Sequence, residues 1–216
     1  MGKVISLVNQ KGGVSKSTTS VNLCYWLKKK KKQKTLLIDG DTQQSSSVWT
    51  EAMEDIEIPY KIIQSPDDLL EQIPELAADY DYVIVDSPAN LSETNRAIMF
   101  RSDLVVIPVQ PTKLDLDSTK AVIRLVKQAQ SVRGGLPTAV SFVSRAFKGT
   151  RLKREAIAYL SKNSSATLLK TVIHQRQIIA DSPGQSATVW DLSGREASES
   201  AAEYEKLFKE ILQLLP

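Results

Sequence analysis

The 216-residue sequence holds a single cysteine, Cys24, and a single histidine, His174. One cysteine excludes an intrachain disulfide and any zinc or iron–sulfur site built from the cysteines of one chain. One histidine argues against a His-rich metal site. The single cysteine fits a reducing compartment. Long hydrophobic runs are missing as well: uninterrupted apolar stretches reach about five residues, against the roughly 20 that span a bilayer. The opening residues, MGKVISLVNQKGG, carry no basic segment ahead of a long apolar run. No signal peptide and no membrane association are expected, and the expected location is cytoplasmic. Strong charge of one sign is also lacking, since 28 basic and 25 acidic residues leave +3. That balance neither demands nor excludes a nucleic-acid partner; the placement of the charges decides.

What is present suits one α/β domain over residues 1–216. Hydrophobic residues make up 42%, enough for a full core at this length. Short runs rich in Val and Ile recur at Val4–Val8, Leu36–Ile38, Tyr82–Val85 and Leu104–Val109, and they read as buried strands. A further strand is expected at Thr138–Val143. Helix-period segments lie between and after them: Ser17–Lys29, Pro66–Ala78, Leu116–Gln130 and Ala197–Leu215. Asp67 and Asp68 suit the first turn of the second helix. Alternating strand and helix predicts a mostly parallel, twisted sheet with helices on both faces.

Directly after the first strand stands Lys11-Gly12-Gly13-Val14-Ser15-Lys16-Ser17-Thr18, and a helix pattern follows at once. Glycines let the backbone turn tightly and aim N–H groups at phosphate oxygens, and the helix N-terminus adds partial positive charge. Lys16 is placed to reach the β- and γ-phosphates of a nucleotide, and the Ser17 hydroxyl to bind Mg²⁺. The strand–loop–helix context separates this string from a chance Gly-rich turn. Two further strands end in carboxylates. One gives Asp39 and Asp41, the other Asp86, and such ends are where ligands bind in open α/β sheets.

This string resembles the deviant Walker A motif of the ParA/MinD ATPases, a family with the P-loop NTPase fold. The resemblance implies ATP and Mg²⁺ as cofactors. It implies that Lys11 is a second, signature lysine reaching across a nucleotide-sandwich homodimer. It also implies that Asp41 positions the attacking water, that Asp39 lies near the metal shell, and that Asp86 closes a Walker B strand. Pro111 falls in the stretch bordering the nucleotide and the dimer interface, and Ser144 and Arg145 fall where the family contacts adenine. Two residues depart from the pattern. Thr42 replaces the usual proline, and Ser15 stands where glycine is usual, so a Cβ there narrows the approach to phosphate and restricts positive φ.

Basic residues gather in two places. Lys28–Lys32 is either a solvated helix end, where cations favour the helix dipole, or a nucleic-acid contact. Lys148, Arg151, Lys153 and Arg154 form a candidate DNA patch at a helix start. Arg176 lies near a DNA-binding arginine of ParA relatives. His174 reads as structural. Trp26, Trp49 and Trp190 read as core or partner-surface residues. The last helix carries Ala201, Tyr204, Phe208, Ile211 and Leu215 on one face beneath an acid-rich polar face, unlike a membrane-surface helix. The leading expectation is a ParA-like partition ATPase of the small plasmid type, or a carboxysome-positioning relative, whose cargo is a plasmid, a chromosome region or a protein body. It would hydrolyse ATP slowly, bind DNA non-specifically as an ATP-bound homodimer, associate with the nucleoid, and answer to a ParB-like cargo adaptor. A MinD-like membrane-site regulator and a metabolic enzyme sharing the motif are the alternatives.

Overall fold

The computed structural model describes residues 1–54, 56–90, 92–162 and 165–216. The β-branched runs become the strands β1 (Lys3–Leu7), β2 (Thr35–Asp39), β3 (Tyr60–Ile62), β4 (Tyr82–Asp86), β5 (Leu104–Val109), β6 (Thr138–Val143) and β7 (Thr167–Leu168). Among the described residues these seven form one sheet in the order β3-β2-β4-β1-β5-β6-β7, with every pairing parallel. Parallel strands need crossovers, and helices supply them. They are α1 (Lys16–Tyr25), α2 (Ser45–Glu51), α3 (Pro66–Asp79), α4 (Glu93–Arg101), α5 (Lys113–Val132) and α6 (Arg151–Leu160), followed by α7 (Gln177–Asp181) and α8 (Arg195–Gln213).

Strand alternation divides the core in two. Val83 and Val85 of β4 join Val105, Ile107 and Val109 of β5 on one face, under α3, α4 and α5. Ile84, Leu104 and Val106 point the other way, toward α1, α2 and α8. Because both faces are covered, the central strands are largely apolar runs instead of a regular alternation with polar residues. The mostly parallel sheet with helices on both faces, expected from the sequence, is the one observed.

Local boundaries differ where local chemistry differs. α1 starts one residue earlier than expected, and after Tyr25 it continues as a π-helical turn, Trp26–Lys30. Lys28, Lys29 and Lys30 of the lysine run belong to that turn, and Lys31 follows it. Lys29 Nζ lies 4.9 Å from the centre of the Tyr25 ring and Lys31 Nζ 5.0 Å from that of Trp26, so aromatic faces take part of the charge. This favours the helix-end reading of the run. The last helix begins at Arg195 and buries Ala197, Tyr204, Leu207, Phe208 and Ile211. Phe208 packs 5.6 Å from Trp26, so the apolar face of α8 is occupied by the core. Among the described residues no helix is long and apolar enough to cross a membrane.

Candidate nucleotide-binding site

The register of the central strands builds the site. Asp39 pairs with Asp86 across β2 and β4, and Leu7 pairs with Asp86 across β1 and β4. Two carboxylates and the start of the phosphate loop therefore lie side by side at the C-terminal edge of the sheet. β1 sits between β4 and β5 there, where the strand order reverses and a crevice opens.

The loop between β1 and α1 is held from several sides. Asn9 Nδ2 donates to the Pro108 carbonyl at 2.7 Å, and Ser144 Oγ to the Val14 carbonyl at 2.9 Å. Gln110 Nε2 and Arg145 Nη1 both donate to the Gly13 carbonyl, at 2.8 and 2.6 Å. Gly13 sits at φ +74°, which glycine adopts freely. Ser15 sits at φ 80°, ψ 25°, in the left-handed region, as the residue preceding α1. The concern raised by its sequence thus has a backbone basis. A side chain occupies a conformation suited to glycine, at a cost of roughly 1–2 kcal/mol.

Charge is buried behind the loop. Lys16 is 6% exposed, and its Nζ donates to the Lys11 carbonyl at 3.2 Å. Burial lowers its pKa, against the opposing pull of Asp86 and Asp41. Asp86 is fully buried, and burial pushes its carboxyl up to about 7; Asp39 adds to the rise, while the Ser17 hydroxyl and Lys16 oppose it. Asp86 Oδ1 accepts from Ser20 Oγ at 3.3 Å, whereas its Oδ2 is buried with no hydrogen-bond partner among the described residues. An orphaned carboxylate oxygen near a serine hydroxyl fits a divalent cation that takes its other ligands from phosphate and water. Asp39 is more fully engaged: Oδ1 accepts from Asp41 N at 3.0 Å and Oδ2 from Ser47 N at 2.8 Å, in the first turn of α2. Both of its oxygens thus serve the β2–α2 turn. Asp41 is half-buried and faces the cleft.

The cleft encloses about 440 Å³ and is lined by Gly12, Gly13, Ser15, Lys16, Ser17, Thr18 and Asp41, with Arg145 and the segment from Ile173 to Pro183 opposite. Several expected site residues lie elsewhere. Ser144 is fully buried and spends its hydroxyl on the loop carbonyl, so it supports the loop instead of facing adenine. Pro111 is buried and is not part of the cleft wall. Arg176 requires a correction. It is 8% exposed, grips both oxygens of Glu203 at 2.7 Å and reaches Glu199 at 3.2 Å, so its charge is matched inside the protein and not offered to DNA. His174 also bonds Glu203, through Nδ1 at 2.9 Å, and it lines the cleft. The 173–183 wall and Tyr204 were not anticipated, because nothing local in Ile173–Pro183 signals contact with a loop some 160 positions earlier. Lys148, Arg151, Lys153 and Arg154 gather at the start of α6, where Lys148 pairs with Glu199 at 3.3 Å and Arg151 with Glu155 at 2.6 Å on the surface.

A family model described as VirC1 protein matches residues 2–186. The chain belongs to this family. Its relatives include Maintenance of carboxysome distribution protein A of Gloeobacter kilaueensis, 37% identical over 53% of this chain and 52% of that protein. They also include the chromosome-partitioning ATPase Soj of Treponema pallidum, 26% identical over 98% of each. Among solved structures, apo McdA of Cyanothece superposes with a TM-score of 0.82 at 17% identity, covering 98% of this chain and 100% of that one. The septum site-determining protein MinD of Pyrococcus horikoshii, complexed with Mg-ADP, superposes at 0.77 with 22% identity over 98% and 96%. These likenesses establish the fold and a family containing partition-type ATPases.

Ser15→Gly should relieve the left-handed strain and raise stability by about 1 kcal/mol, seen as a melting temperature a few degrees higher. It should also tighten ATP binding in calorimetry; unchanged melting and affinity would show that the loop accommodates the serine without cost. Asp86→Asn should stabilise the nucleotide-free protein. A carboxylate raised from 3.8 to about 7 is increasingly unfavourable to the fold as pH climbs through that window. The gain from Asn should therefore be absent below pH 4 and level off above pH 7 at roughly 2–4 kcal/mol. Denaturant titrations at pH 4 and pH 8 measure it, and an equal effect at both would contradict the buried, protonatable carboxylate.

Proposed function

We propose that this chain is a ParA-like ATPase that pairs across ATP, binds DNA without sequence preference and positions a cargo through an adaptor protein. The observation carrying this reading is one constellation: buried Lys16 and half-buried Ser17 and Asp41 line a cleft, the orphaned Asp86 carboxylate is buried beneath the loop that carries Lys16 and Ser17, and half-exposed Lys11 stands beside it. Lys16 and the loop backbone would bind the nucleotide phosphates. Ser17 and Asp86 would hold Mg²⁺, which when bound neutralises phosphate charge, with Asp39 bracing the turn behind. Asp41 would orient the attacking water by accepting its hydrogen bond. Lys11 would meet the phosphates held by the second subunit, adding a cation where charge develops in the transition state. Slow hydrolysis until an adaptor completes the site is in keeping with the family's partition-type members.

DNA binding would come from Lys148, Arg151, Lys153 and Arg154. The ion pairs of Lys148 and Arg151 are exposed and weak, so phosphate can displace their carboxylates. One subunit offers few cations to DNA, and an ATP-bound pair doubles them. Burial of the apolar face of α8 supports this reading over a membrane-bound one, because it leaves that face unavailable to lipid.

Fluorescence anisotropy on unrelated duplexes should show binding with ATP and little with ADP or no nucleotide, equal across sequences and weakening with salt. Neutralising the four α6-region cations to Gln should lower affinity at least tenfold and flatten the salt slope by about 0.9 for each phosphate that is no longer neutralised. Binding indifferent to nucleotide, or ATP-dependent binding to anionic liposomes in its place, would remove the partition reading.

A further inference from the structure

Lys11 Nζ stands 3.0 Å from Asp115 Oδ2, and the two side chains differ in exposure: 40% for Lys11 and 0% for Asp115. Asp115 is the third residue of α5. The Thr112 hydroxyl donates to the same Oδ2, and the Asp115 backbone N–H donates back to Thr112 Oγ1 at 3.2 Å. The remaining oxygen, Oδ1, is buried with no hydrogen-bond partner among the described residues.

Helix capping explains part of this arrangement, since an acidic residue in the first turn completes a threonine cap and favours the helix dipole. Capping needs neither full burial nor a cation from the other end of the sequence. A carboxylate removed from water is costly unless a cation compensates it, and here that cation is Lys11. An ammonium carries three donors, and Asp115 engages one. The lysine can thus stay on Asp115 and still present donors outward from its exposed side. A lysine already fixed also loses less rotamer entropy when a partner arrives.

We propose that Asp115 is a positioning residue for Lys11. It holds the ammonium at the rim of the phosphate loop, with donors free for phosphate oxygens bound by a second copy of this chain. The inference rests on the sandwich-dimer reading above and assigns a role to a residue outside the motifs that suggested it.

The test is sedimentation velocity in ATP and Mg²⁺, in an Asp41→Ala background chosen to slow hydrolysis, with thermal melting run alongside. Asp115→Asn and Lys11→Ala should each weaken the dimer by about tenfold or more, as removal of a charge-assisted hydrogen bond does. The double variant should be no weaker than Lys11→Ala alone, because the two act through one interaction. Thr112→Val removes the capping hydroxyl but keeps the charge on Asp115, and it should leave the dimer intact even if Asp115→Asn proves unstable. A full-strength dimer in Asp115→Asn, a further loss when it is added to Lys11→Ala, or a dimer broken by Thr112→Val would each overturn the inference. If Lys11→Ala weakens the dimer while Asp115→Asn does not, only the role of Asp115 fails. If the parent protein forms no ATP-dependent dimer, the sandwich reading fails and takes this inference with it.

Discussion

The structure turns on charge held out of water at one edge of a parallel sheet. Strand register brings Asp39 and Asp86 side by side next to the end of β1, and the phosphate loop folds Lys16 over them. Nothing in the apolar core requires this. A buried carboxylate whose pKa is pushed up to about 7, beside a lysine whose own pKa is lowered, is a standing cost to the fold. The two-sided core that α1, α3, α4, α5 and α8 build around the sheet offsets it. Under the proposed function, phosphate would complete Lys16 and a divalent cation would complete Asp86.

The same logic explains how polar groups are shared around the cleft. Asp39 and Ser144 give their hydrogen bonds to backbone and so fix the geometry of loops that must not move. Glu203 ties Arg176 and His174 of the 173–183 wall into one cluster. Lys11 alone among the loop's lysines is half in solvent, and its anchor is a fully buried carboxylate on the neighbouring helix. Interior groups hold, and the half-exposed lysine faces outward, a division suited to a site completed by a second molecule.

Much of this was legible in the sequence because its causes are local. β5 and β6 begin and end where the apolar runs do, and α3 starts at Pro66 behind its Ser65 cap, with Asp67 and Asp68 in the first turn. The phosphate loop announces itself by glycines and lysines in fixed order between a strand and a helix. Short or weakly periodic pieces such as α2, β3, β7 and α7 were not legible, because pairing and packing specify them more than their own residues do. Arg176 was misread for a related reason. Its neighbours in sequence say nothing of Glu199 and Glu203, which arrive from α8 to neutralise it. Asp115 is visible as a capping residue of α5, but its bond to Lys11 spans 104 positions and only the fold reveals it.

Under the proposed function, the buried Lys16 and Asp86 form a Mg-nucleotide site. Titration calorimetry of ATP into the intact chain, with Mg²⁺ and with chelator, against Lys16→Ala, tests it most directly. The expected result is saturable binding of one ATP per chain that tightens with Mg²⁺ and falls by at least tenfold in Lys16→Ala, as expected when a charge-assisted hydrogen bond to phosphate is removed. Binding of equal strength in Lys16→Ala, or no binding in the parent protein, would contradict the claim.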